Sequence, residues 1–267
     1  MRGISFIEPF FALLAPVIVI IVIIGPFIAP HSATEVDFVS RLLPPSAAHP
    51  MGTDSAGRDV LSRVLHGGQY TLLAVLAVVV ASVVIGLIIG TIAALSGGIV
   101  DTLLMRVSDV GIALPALMLA LGFAAALGAS LQSAVIAIII TWWPRYARLT
   151  RAIVRDTTVR DWVEAAREMG VSRWRLIRRH ILPELTDSLL VQITSDVAAV
   201  TLTISALSFI GVGALPPAPE WGAMISDGQS YLITAWWASM FPGLAVAVTG
   251  ISFGFLGDWL ANWEARR

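Results

Sequence analysis

Apolar and polar positions along this chain separate into long apolar runs and short charged interruptions. The hydrocarbon core of a bilayer is ~30 Å thick and takes about 20 apolar residues in helix to cross. Runs of or near this length predict helices at about Phe10–Ala29, Thr71–Leu95, Leu103–Leu127, Leu131–Tyr146, Leu185–Phe209 and Thr234–Leu256. The third should kink near Pro115, because proline removes a helical hydrogen bond. The fourth continues into an Arg-rich segment. The pattern predicts an all-α membrane protein with six transmembrane helices.

A different period rules the stretch Arg160–Pro183. Trp162, Val163, Ala166 and Met169 form one stripe, with Arg160, Asp161, Glu164, Arg167 and Glu168 elsewhere. Gly170 then breaks the run as a glycine just past a helix end, and Ser172 is placed to cap a second short helix. In that helix Trp174, Ile177 and Ile181 repeat, while Arg173, Arg178 and Arg179 point away. Pro183 suits the first turn of the fifth membrane helix. Periodicity alone leaves two readings open: a docking element for another protein, or an amphipathic pair lying on anionic lipid.

Composition agrees with a membrane setting. Hydrophobic residues make up 57% and charged residues 13%, against roughly 25% charged in soluble domains; mean hydropathy is +0.84. The net charge of −1 conceals an asymmetry, since ten of the seventeen basic residues lie between Arg145 and Arg179, among only four acids. Basic residues collect in short cytoplasmic loops. That places this loop inside, with both termini, and residues 31–68 and 211–232 outside. The apolar stretch from Ile4 to Ala29 is longer than the 7–15 residues of a signal-peptide core, so it is expected to be a retained anchor.

The chain has no Cys and no Lys. That excludes disulfides, thiol nucleophiles and Cys-zinc sites, Schiff-base lysines and a phosphate loop needing G-K-[ST]. ATP hydrolysis at such a loop would have to come from another chain. His31, His49, His66 and His180 are scattered, with no H-E-x-x-H, so no metal site is expected. Gly86 and Gly90 form a G-x-x-x-G suited to close helix packing. Gly97-Gly98 marks a turn, and Trp142-Trp143 and Trp236-Trp237 read as interfacial anchors.

Glu164-Ala165-Ala166, three residues, Gly170, then Leu182-Pro183 resembles the EAA loop of binding-protein-dependent ABC importer permeases. Further segments resemble the second (C-type) permease subunit of the dipeptide/oligopeptide/nickel importers. These are His49-Pro50-Met51-Gly52-Thr53-Asp54 with Gly57-Arg58-Asp59 and Ser62-Arg63, then Arg179-His180-Ile181-Leu182-Pro183, Pro216–Gly228, Phe241-Pro242-Gly243 and Leu256-Gly257-Asp258. Departures occur at Ile204, where many relatives carry Glu, at Gly254, where many carry Asn, and at Trp263-Glu264-Ala265, which replaces Leu-Asp-Pro.

The resemblance implies a type I ABC importer permease fold and an ATP-driven importer for dipeptides or oligopeptides, with nickel or another small solute as alternative cargo. It implies an anchor helix over 1–30, an extracytoplasmic segment over 31–68, and a five-helix core over 69–267 holding half of the translocation path. The cytoplasmic loop at about 147–183 would couple to the ATPase through Glu164, Ala165, Ala166, Gly170, Leu182 and Pro183. The first helix would pack peripherally against a paralogous permease. Other implied partners are two ATP-binding domains that hold ATP and Mg, an extracytoplasmic peptide-binding protein and lipid, with no nucleic acid. The chain itself would be no enzyme and hold no cofactor. Asp196, about 12 residues past Glu184 and so roughly 18 Å along the helix, lies at mid-membrane depth. There it would line the substrate path or sit satisfied at a helix interface. Two rivals remain: an ion-coupled carrier, which would want paired ionisable groups near the midplane, and an intramembrane hydrolase, which would want a nucleophile and base.

Overall fold

The computed structural model describes residues 7–172, 175, 179 and 182–264. Its elements are α1 (Ile7–Ile28), α2 (Val60–Ser96), α3 (Gly98–Ala113), α4 (Ala116–Leu127), α5 (Leu131–Thr158), α6 (Asp161–Glu168), α7 (Leu182–Phe209), α8 (Trp221–Gly228) and α9 (Trp237–Glu264), with 3₁₀ turns at Phe38–Ser40 and Gln229–Tyr231. Among the described residues there is no strand, only an isolated antiparallel bridge between Thr53 and Asp59. Four helices are long and apolar enough to cross a membrane, or five if the bent pair α3–α4 is one span. The remaining expected span lies in α5, whose apolar first half is followed by Pro144 and a basic second half.

Two boundaries differ from the sequence reading. The second span begins at Val60, not near Thr71, because Asp59 caps it by accepting from the Ser62 amide. The resulting 37-residue helix, at 1.5 Å per residue, is roughly 55 Å long and overshoots a bilayer core. The third span is not one kinked helix. It is two helices at 90°, because Pro115 forces Leu114 out of the helical region, to φ −84° and ψ 128°. The turn expected at Gly97-Gly98 is present, with φ of 61° and 53°.

The bundle turns the soluble pattern inside out. Leu13, Ile20, Phe27, Leu73, Ile88 and Leu103 are exposed, while Ser82, Thr141, Thr150, Thr201, Ser205 and Ser252 are buried. Exposed aliphatics suit a lipid surround, and small hydroxylated residues allow helices to approach. Several hydroxyls are satisfied within their own helix: Thr201 donates to the Val197 carbonyl at 2.7 Å and Thr141 to the Ile138 carbonyl at 2.9 Å.

The largest helix contact is α2 on α5. The two run parallel, with residues 69–77 beside residues 131–136 and Gly86 and Gly90 beside Tyr146 and Thr150. A Cβ at Gly86 would lie 2.3 Å from the Tyr146 Cβ, and one at Gly90 would lie 2.4 Å from the Ala147 carbonyl oxygen. The G-x-x-x-G is therefore a contact within this chain. Val75, Val78 and Val79 of α2, Ile138 and Tyr146 of α5, and Val200, Ile204 and Leu207 of α7 form the main core. Ile204 is buried there. α9 packs on α7, where Gly257 leaves no room for a Cβ beside Ser195 and Thr194. α1 packs on α9 and α2, with Phe11 stacked on Phe255 at 5.2 Å between ring centres.

Gly86→Leu should push α2 off α5 and lower stability by about 1–3 kcal/mol or more, the usual cost of overpacking. Gly122→Ala, with open space around it, should be near neutral or slightly stabilising. Thermal unfolding of both variants in detergent measures the difference.

Candidate functional site

The segment expected to couple to an ATPase starts as a continuation of the bundle. α5 runs unbroken through its basic half, and only Val159 and Arg160 separate it from α6. The basic half is tied to α3. Arg148 pairs with Asp109, Arg151 forks onto Asp101, with Nη2 2.6 Å from Oδ2, and Arg155 lies 3.3 Å from the same carboxylate. Asp101 is buried beneath them. Part of the charge asymmetry is thus internal bracing.

Glu164, Ala165 and Ala166 lie in the middle of α6. The expected apolar stripe is divided. Val163 is buried, whereas Trp162 and Met169 are exposed, with Val159 exposed beside them. Gly170 has φ +79°, the left-handed geometry expected after a helix. Nothing lies within 4 Å of a Cβ built there. A bulky residue there would therefore meet backbone strain and no steric clash. The Ser172 hydroxyl accepts from the Arg175 amide at 3.4 Å, as a cap would. Of the expected second helix, Arg173, Trp174, Ile177, Arg178, His180 and Ile181 lie outside the described residues. Leu182 and Pro183 open α7.

At the opposite end, residues 31–59 and 210–236 fold together into a cap. Asp54 accepts from the amides of Ala56 and Arg58 and from Arg58 Nε at 2.7 Å. Arg63 Nε lies 3.3 Å from Asp54, and its Nη1 donates to the Ala33 carbonyl at 2.9 Å. Arg58 also reaches Asp227 at 3.6 Å. Burial holds the Asp227 carboxyl above the usual range, against the opposing pull of Arg58 and Arg63. Glu220 is 0% exposed; it caps α8 at Ala223 and accepts from Thr71. Two glycines make the tight turns possible: Gly52, φ +71°, packs under the Trp237 ring, and Gly57, φ +77°, presses on the Asp37 carbonyl.

Trp237 and Trp142 are corrections. Both are buried. Trp237 donates its indole N–H to the Thr53 carbonyl at 3.0 Å, fastening α9 to the cap, and Trp142 receives the Arg145 guanidinium over its ring at 4.8 Å. The histidines are not all scattered either, since His31 and His49 converge on Asp59.

Asp196 is 3% exposed. Its Oδ1 accepts from Gln192 at 3.1 Å. Its Oδ2 has no hydrogen-bond partner, and nor has the Tyr146 hydroxyl, although the two groups interact. The carboxylate is buried at the α5–α7 interface, beside Tyr146.

Residues 82–267 match the family model described as the binding-protein-dependent transport system inner membrane component. The chain belongs to this permease family.

A probable D,D-dipeptide transport system permease protein of Escherichia coli is 42% identical over 254 residues, covering 94% of this chain and 84% of the relative. A di/tripeptide transport system permease protein of Pseudomonas aeruginosa is 39% identical over 251 residues, covering 92% and 83%. The inward-facing MetNI methionine ABC transporter matches the fold with a TM-score of 0.57 at 18% identity, covering 74% of this chain and 94% of that one. The protein is thus a multi-pass inner-membrane permease component of an ABC importer. Such a permease works with an ATPase and a substrate-binding protein. As a transporter component it is not expected to be an enzyme.

The permease's cap is the feature the sequence showed least fully. Asp54, Arg58 and Asp59 stood out in the sequence only within the family resemblance, and in the structure all three are buried. Arg63→Met should leave Asp54 with Arg58 as its one remaining cation and the Ala33 and Pro217 carbonyls short of a donor, costing about 3–5 kcal/mol, as breaking a buried pair does. Arg41→Met, which removes an exposed 2.9 Å bond to Tyr231, should cost about 1 kcal/mol or less. Thermal melts of the two variants should separate clearly.

Proposed function

We propose that this subunit carries dipeptides or oligopeptides, paired with a paralogous permease, two ATP-binding domains and an extracytoplasmic peptide-binding protein. The peptide assignment rests on relatives named for dipeptide and di/tripeptide transport that align over 92–94% of the chain. ATP and Mg belong to the partner subunits. Both termini and α6 face the cytoplasm, and the cap faces outward to receive the binding protein. The arginine bias of the loop supports this orientation.

The observation that carries the mechanism is the junction of α5 and α6. A two-residue turn joins the exposed helix bearing Glu164, Ala165 and Ala166 to a 28-residue helix packed along α2. Displacement of α6 by an ATP-binding domain therefore reaches the bundle directly. Arg151 and Arg155, braced on Asp101, pass it on to α3. Leu182 and Pro183 would return the movement through α7. ATP binding would open the path outward, and hydrolysis would reset it. Asp196 meets cargo only in a state that parts α5 from α7.

Two experiments test this. A Glu164→Arg, Gly170→Trp double variant reverses a docking charge and strains the left-handed turn by roughly 1–2 kcal/mol. It should insert normally yet lose peptide uptake, by weaker ATPase attachment or uncoupled hydrolysis; wild-type uptake would remove the coupling assignment. Asp196→Asn should alter uptake among peptides of different charge. Unchanged uptake for all of them would restrict Asp196 to helix packing.

A further inference from the structure

Three donor groups distant in sequence meet where α1 hands over to α2. His49 Nδ1 lies 3.0 Å from Asp59 Oδ1, and His31 Nδ1 lies 3.9 Å from the same oxygen. The two imidazole rings sit 4.8 Å apart, centre to centre. One ligand atom from each of the three residues falls within 4.8 Å of the others. We propose that His31, His49 and Asp59 bind a divalent transition-metal ion of the zinc class, clamping the end of α1 to the start of α2.

The carboxylate is already prepared for this. Asp59 Oδ2 accepts from the Ser62 amide at 2.8 Å and the Ser62 hydroxyl at 2.7 Å, which fixes the group and turns Oδ1 toward the histidines. Such outer hydrogen bonds orient metal ligands. The same serine hydroxyl accepts from the His31 amide at 3.1 Å, so the backbone beside that imidazole is held too.

Charge supplies a second, independent argument. Asp59 is 2% exposed. Among the described residues no arginine forms an ion pair with it; Arg58 and Arg63 are committed to Asp54 and Asp227. Its ion-pair partners are the two histidines. A buried carboxylate lacking a permanent cation is costly, and a dication between it and the imidazoles removes that cost.

Donor chemistry selects the ion. Calcium and magnesium ask for six or more oxygens, whereas imidazole suits zinc, nickel and copper. Bonds of ~2.0–2.1 Å to nitrogen place neighbouring donors roughly 3.0–3.4 Å apart. The His49–Asp59 pair is at that spacing. The His31 ring needs to move by roughly half an ångström toward Asp59 and by about 1.4 Å to bring all three donors to that spacing; its side chain is 43% exposed and has room to turn. Three protein donors leave positions for water, so the ion should exchange.

The test uses the full-length chain in detergent, with any purification tag removed and metal stripped by chelator. Zinc chloride is titrated calorimetrically and thermal unfolding is followed alongside. Wild type should bind one zinc per chain and melt at a higher temperature with it. His31→Ala and the bulkier His31→Gln should each weaken binding about tenfold or more and abolish the shift. His66→Ala should change neither, because its imidazole turns to the Ser62 carbonyl. X-ray absorption of the zinc-loaded chain should show imidazole scattering. Absence of saturable zinc binding, binding unchanged in both His31 variants, or an all-oxygen shell would overturn the site. Asp59 is left intact because it also caps α2.

Discussion

Everything in this bundle depends on how closely α2 and α5 approach. Lipid tails are as apolar as leucine, so no hydrophobic force drives helices together within a bilayer, and association rests on packing. Gly86 and Gly90 bring the α2 backbone against Tyr146, Ala147 and Thr150. α2 also touches α1, α3, α7, α8 and α9. Setting the α2–α5 spacing therefore sets the frame on which the other helices are placed. It also decides what α6 can do, because α6 hangs from the end of α5.

The two ends of the bundle handle charge in opposite ways. In the cap, Asp54, Arg58, Asp59, Arg63 and Glu220 are buried, and their hydrogen bonds cross between segments far apart in the chain. Leaving any one unpaired is expensive, so the cap holds one arrangement. At the other end the Arg148–Asp109 and Arg160–Asp156 pairs face solvent, while Arg151 and Arg155 reach down to the buried Asp101. Exposed pairs contribute little individually. Apart from the Asp101 brace, that end is held by weaker pairs than the cap.

The sequence displayed the helices because each must present a long apolar run. It displayed the turn at Gly97-Gly98, the break after Glu168 and the capping serine for similarly local reasons. What it hid was set by tertiary partners. The α2 start depended on the Asp59 cap, a signal present at Asp59-Val60-Leu61-Ser62 but overshadowed by the apolar run from Thr71. Trp237 looked like an interfacial anchor until the Thr53 carbonyl supplied its acceptor. His31, His49 and Asp59 are separated by 18 and 10 positions, and no spacing rule predicts their meeting; the fold of residues 31–59 brings them together. Asp196 was placed by its distance along the helix, and distance along a helix does not say which face it lies on; the structure buries it between α5 and α7. The coupling motif was legible only through its resemblance, since periodicity alone fits a lipid-bound helix equally well.

α6 itself is short. Eight residues are well below the roughly 12–15 at which an isolated helix becomes marginal in water, and among the described elements its packing is against α5. Val163 is its buried anchor, while Trp162 and Met169 remain exposed. A helix so placed draws further stability from whatever covers its outer face. If an ATP-binding domain covers it, docking and helix formation are linked, and the free energy of one appears in the other. A rigid α6 would only transmit movement. A marginal one also reports attachment, because its order would depend on the partner being seated. Under the proposed coupling, the firm connection to α5 and the thin packing around α6 would be complementary: one would carry displacement into the membrane, and the other would make that displacement conditional on the engine being in place.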